Sequence, residues 1–144
     1  MPELALHFAV PFAVTAPVLG VRKAIAVSFV SLLPDLDVFF HVHRSPSHSI
    51  ILLLVVSLVA VGLVSRLIPK YLSLASVGCL TLLMHPIMDL FSTYTPILYP
   101  LALESFYLDF EGRLMIGGST IPTSTSQVDT TPTVFESFER LDAP

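Results

Sequence analysis

The sequence predicts an all-α integral membrane bundle of about four helices, followed by an irregular C-terminal tail. Three observations carry this. Charged residues make up only 12% of the 144 and hydrophobic residues 53%, whereas soluble domains carry about 25% charged residues. The mean hydropathy of +0.81 suits a chain solvated largely by lipid. Three stretches reach the length of a crossing helix, roughly 20 mostly apolar residues with about 17 as a lower limit.

The first stretch, Leu4 to Val21, contains no Asp, Glu, Lys or Arg. No Lys or Arg precedes it, unlike the positively charged start of a cleaved signal peptide. The second, "AIAVSFVSLL" (Ala24 to Leu33), is too short to cross and stops at Pro34. It spans only if "PDLDVFF" also sits at membrane depth; otherwise it is a short helix packed inside the bundle. Irregular backbone at that depth must be enclosed by protein or line a wet cavity. The third, Ser49 to Ser65, and the fourth, Tyr71 to Met88, read as spans. The lone Cys79 reads as a small core residue.

Beyond Phe91 the helical pattern breaks at two prolines, Pro96 and Pro100. "FYLDFEGRLMI" reads as a hairpin turning at Glu111-Gly112, "GGSTIPTSTSQVDTTPT" as a flexible Ser/Thr/Pro linker, and "VFESFERL" as a short amphipathic helix. The division is therefore a membrane-embedded domain over 1–108 and an extramembrane tail over 109–144. A formal charge of −4 and the lack of a basic, aromatic-laced patch exclude a nucleic-acid partner. Membrane lipid is the expected partner.

Arg22, Lys23, Arg66 and Lys70 fall in the first and third loops, which the positive-inside rule places in the cytoplasm. The segment "PDLDVFFHVHRSPSHS" then faces outward. It holds two aspartates, three histidines and an arginine in sixteen positions. Four antiparallel spans bring to that same side His7, Asp35, Asp37, His41, His43, Arg44, His48, His85 and Asp89. All five histidines of the chain belong to this set. "HPIMD" puts His85 and Asp89 four apart, on one helical face, with Pro86 expected to distort the turn. His41 and His43 alternate, so one of them faces the others.

Imidazole with carboxylate suits zinc, with manganese or iron as alternatives. The donors are numerous enough for one to three ions. Three aspartates at the centre of a bilayer cost about 8–10 kcal/mol when unpaired, and a divalent cation removes that cost. Each residue also has a plainer role. His7 can be an interfacial histidine, Asp35 and Asp37 turn residues after Pro34, Ser47-His48 a helix cap and Arg44 a headgroup anchor. The convergence of all of them on one side favours a metal centre.

At these residues the chain resembles a known family. "LLPDLDVFFHVHRSPSHSI" and "HPIMDLFSTYTPILYP" are similar to the membrane-bound metal-dependent hydrolases that include a LexA-regulated inner-membrane hydrolase. That family's pattern of an early His, Pro-Asp-x-Asp, His-Arg-Gly-x-Thr-His-Ser and His-x-x-x-Asp falls here on His7, on Asp35 and Asp37, on His43, Arg44, Ser47 and His48, and on His85 and Asp89, with Thr93 after them. Ser45-Pro46 departs from the usual glycine region, and Ser47 keeps the hydroxyl of a threonine. The resemblance covers roughly residues 1 to 104.

It implies metal ligation by His7, Asp35, Asp37, His43, His48, His85 and Asp89. The family is in turn distantly similar to zinc-dependent phospholipase C and P1-type nucleases, which implies phosphoester hydrolysis on a lipid or other substrate at the membrane surface. Asp35 or Asp37 would hold or deprotonate water, and Arg44 would stabilise charged oxygens. The competing expectation is a non-enzymatic metal-binding or ion-transport protein, since intramembrane His and Asp also build ion paths. The third stretch offers only Ser57 and Gly62 between Ile50 and Val64, which favours a closed pocket. The zinc-protease motif H-E-x-x-H is absent.

Overall fold

The computed structural model describes residues 3–40, 46–111 and 125–132. Four α-helices run in order: α1 (Glu3–Leu19), α2 (Val21–Val30), α3 (Ile50–Leu67) and α4 (Leu72–Asp89). Short 3-10 helices at Pro34–Phe40, Pro46–His48 and Pro69–Tyr71 connect them. α2 packs against both α1 and α4, and α3 against α4.

The apolar runs dictate the helices, and the special residues dictate where they stop. α1 ends at Leu19 because Gly20 takes φ 78°, ψ 156°, a region open essentially only to glycine. Its 17 residues rise about 25 Å, short of a hydrocarbon core about 30 Å thick. The first predicted span is therefore shorter than its apolar run suggested. α2 has ten residues and buries Ala24, Val27 and Ser28, so it is the short packed helix of the two alternatives.

Helices long and apolar enough to cross a membrane are Ile50–Leu67 and Pro69–Asp89. Only 11% and 28% of these segments is buried within the chain. Their apolar side chains face outward, as in helices solvated by lipid rather than in the core helix of a soluble domain. Ser49 caps α3, accepting from the Leu52 amide at 3.4 Å while its hydroxyl donates to the Tyr99 carbonyl.

Prolines shape the interior. Pro11 has no N–H, so the carbonyl of His7, four residues earlier, loses its helical donor. The Ser31 hydroxyl donates to that carbonyl instead. Such rescue by a neighbouring helix is how transmembrane helices tolerate proline. Contrary to the expected distortion, α4 runs through Pro86 as far as Asp89.

The fold is not purely helical. β1 (Glu104–Glu111) pairs antiparallel with β2 (Thr125–Pro132), Glu104 opposite Pro132 and Glu111 opposite Thr125. This register is incompatible with a tight turn at Glu111-Gly112, and part of the expected linker is strand. The β-branched threonines of β2 suit a pleated ladder. Thr95 and Phe106 exchange both backbone hydrogen bonds at 2.9 Å, and the Leu108 amide donates to Leu90 at 2.7 Å. The sheet is thus tied to the chain leaving α4 and straddles the boundary expected at 108. The expected helix at 134–141 lies outside the described residues.

Replacing Gly20 by Ala should cost about 1–3 kcal/mol, because the added Cβ meets nothing but forces a strained backbone. Equilibrium unfolding in mixed detergent measures it, and an unchanged midpoint would refute the role given to Gly20.

Candidate metal centre

The end of the bundle opposite the Gly20 turn gathers groups from four places. α1 contributes His7, the Pro34–Phe40 turn Asp35 and Asp37, the Pro46–His48 turn His48, and α4 His85 and Asp89. His7, Asp37, His48, His85 and Asp89 are buried, and Asp35 is the one member with appreciable exposure, 18% of its side chain.

Three carboxylates and three imidazoles interlock. His85 Nε2 lies 3.4 Å from Asp35 Oδ1 and 3.3 Å from Asp89 Oδ2. His48 Nε2 lies 3.6 Å and 3.5 Å from the same two oxygens. His7 Nε2 is 3.1 Å from Asp89 Oδ1, and its Nδ1 3.7 Å from Asp35 Oδ2. The His7 ring stacks on that of His85, with centroids 4.0 Å apart.

The tautomer of His85 is fixed by its partner. Its Nδ1 is 2.7 Å from the Ser31 carbonyl, which can only accept, so Nδ1 carries the hydrogen. Nε2 then presents a lone pair toward two carboxylate oxygens, and it makes no hydrogen bond despite complete burial. A lone pair facing anions is repulsive unless positive charge lies between them. A proton on Nε2 or a cation supplies it. A ring oriented by a backbone carbonyl is also the usual setting of a metal-ligating histidine.

Asp37 occupies a different position from the one expected. Its Oδ2 is 3.4 Å from His48 Nδ1 and accepts from the Ser47 hydroxyl at 3.1 Å. It stands behind His48, where a carboxylate orients the ring and raises its basicity. At His48, burial alone would lower the pKa, but Asp35 and Asp37 outweigh it and raise it to about 9. At Asp35, burial alone would raise the pKa, yet His48, His7 and His85 hold it well below the ordinary carboxylate range. The cluster keeps its acidic members charged.

Donor atoms of Asp35, His48 and His85 all lie within 4.8 Å of one another, as do those of His7, His85 and Asp89. The residues present therefore fit a divalent ion in number, chemistry and orientation. His43 and Arg44 lie outside the described residues, as does His41. Two contributors were not singled out as site residues from sequence. Ser31 links His7 and His85 through its hydroxyl and carbonyl, and Thr81 ties α4 to α2 through the Val27 carbonyl at 3.0 Å. The break before Pro34 was the only hint of Ser31. Thr93, expected from the family pattern, is buried four residues past Asp89, its hydroxyl making no hydrogen bond.

The fold and this centre define a small, mostly helical protein with lipid-suited helices and a buried histidine–carboxylate cluster at one end. The chain belongs to the YdjM inner membrane protein family, whose model matches residues 3–124. The match runs past residue 104, into the segment between the two strands. No curated protein and no solved structure matches the chain.

Asp37→Ala should weaken metal retention about 10–100-fold while leaving the fold intact, as removal of an orienting partner does. Competition with a fluorescent zinc chelator, alongside circular dichroism, reads both quantities. Unchanged affinity would show that Asp37 does not orient His48.

Proposed function

We propose that this protein is an integral membrane metal-dependent hydrolase of four membrane-embedded helices, acting on phosphoesters at the outer surface of the inner membrane. The single observation behind the reading is His85 Nε2, a buried lone pair aimed at two carboxylates, with a second imidazole facing the same oxygens. Zinc suits the two-nitrogen, two-oxygen donor set, and manganese and iron are the alternatives. A divalent ion held there supplies Lewis acidity toward a phosphoryl oxygen and toward water.

The chain's own groups divide the remaining work. Asp35 is the partly exposed member of the cluster, so it is the carboxylate that meets incoming water and can take its proton. Asp37, turned to His48 Nδ1, leaves that role to Asp35. Asp89, His48 and His85 stay buried and fixed. Arg44, in the same loop, is the candidate to balance charge on phosphoryl oxygens. Lipid is the natural substrate class because the helices that carry the site face lipid. The basic residues Arg22, Lys23, Arg66 and Lys70 at the opposite end support an extracytoplasmic site.

A transport function would need polar groups continuing toward those basic residues. Below His85, the packing of α4 against α2 offers the Thr81–Val27 contact and then Gly78 against Val27 and Val30. That apolar floor favours a dead-end pocket.

Purified protein should release phosphate or phosphorylated headgroup from phospholipid vesicles. Chelator should abolish the activity and zinc restore it. His85→Ala combined with Asp89→Ala should lose both bound metal and turnover. Stoichiometric metal surviving in that double variant, or chelator-resistant turnover, would overturn the proposal.

A further inference from the structure

We infer that the centre holds one ion, on Asp35 Oδ1, His48 Nε2, His85 Nε2 and Asp89 Oδ2, and that His7 is a positioning residue outside its coordination shell. The inference rests on the metal reading above. It narrows the seven ligands implied by resemblance to four and the one to three ions to a single one.

The first argument is metric. Zinc bonded to nitrogen and oxygen at about 2.0–2.1 Å gives a regular tetrahedron with edges of about 3.3–3.4 Å. Four of the six edges among the named atoms can be read directly, at 3.6, 3.5, 3.4 and 3.3 Å. Each edge joins an imidazole nitrogen to a carboxylate oxygen, and both nitrogens meet the same oxygen pair. Each histidine also has its other nitrogen engaged, His85 with Ser31 and His48 with Ser47 and Asp37. Neither can therefore hold a second ion.

The second argument concerns what is left over. A second ion, about 3.5–4 Å away, would need donors of its own. The other possible grouping, His7 with His85 and Asp89, reuses His85 Nε2, which can bind one ion only. Without it, His7 Nε2 and Asp89 Oδ1 remain as a pair at 3.1 Å. The His7 Nδ1 faces Asp35 Oδ2 from the other side of the ring, and one imidazole cannot aim both nitrogens at one ion. Among the described residues no second complete donor set remains.

His7 instead touches the outer oxygen of each carboxylate whose inner oxygen lies on the tetrahedron. Stacked on His85 and held through its carbonyl by Ser31, the ring sets the pitch of both carboxylates. That is the geometry of an orienting partner.

The test uses the full chain in detergent, loaded with zinc and, separately, with cobalt. The expected content is one ion per chain, and X-ray absorption should show two imidazoles in the first shell. His7→Ala and His7→Gln should keep that shell and the tetrahedral cobalt spectrum, with affinity for zinc lowered about 10–100-fold in the alanine variant. Two ions per chain, or three imidazoles in the wild-type shell, would overturn the inference while leaving a metal-dependent hydrolase standing. Loss of an imidazole from the shell in His7→Gln would do the same. The wild-type counts decide the matter even where a variant fails to fold. A wild-type chain that binds neither metal would overturn both readings.

Discussion

Three carboxylates enclosed at one end of an apolar helical body are the constraint on which the rest of the structure depends. Charge buried in such surroundings is tolerated only when matched at close range. Here the match is three imidazoles, each within 3.7 Å of two of the carboxylates. Nothing else in the described structure concentrates polarity in this way. Asp35, Asp37 and Asp89 would each be costly alone, and together they require a region of positive charge. A proton-bridged network and a metal ion both meet that electrostatic demand. The shared pair of inner oxygens gives it the dimensions of a coordination shell.

The helices are arranged to deliver those groups, and irregular backbone does much of the delivery. Gly20 turns the chain sharply so that α2 returns along α1. α2 stops after ten residues, which frees the Ser31 carbonyl to receive the His85 ring. Pro11 frees the His7 carbonyl, and Ser31 answers that as well. One small residue at a helix end therefore holds two of the three imidazoles in place. The 3-10 turns at Pro34–Phe40 and Pro46–His48 bring Asp35, Asp37 and His48 inward, and the Ser49 cap begins α3 directly after them.

Much of the cluster was legible in the primary structure because its signals are local. Pro34-Asp35-Leu36-Asp37 interrupts an apolar run, and His85 with Asp89 needs only one helical turn to meet. The gathering of every histidine on one side follows from counting alternating helices. The split between Asp35 and Asp37 was not legible. Two carboxylates one residue apart look alike in sequence, and only the path of the turn sends one to the inner face of His48 and the other to its back. The sheet was missed for a related reason. A Ser/Thr/Pro composition reads as linker until a partner strand appears, and that partner begins 21 positions earlier in register.

By itself the sequence determined a lipid-suited helical chain, the residue types of a metal centre, and the side of the bundle on which they lie. These follow from composition, from apolar run length and from the helical repeat, all of which act over short distances along the chain. The tertiary structure decided which nitrogen of each histidine faces inward, which aspartate orients rather than coordinates, and that His7 reaches the outer carboxylate oxygens. Those outcomes depend on contacts between residues as many as 82 positions apart, His7 and Asp89, fixed by how the helices pack. No local rule of the chain encodes them.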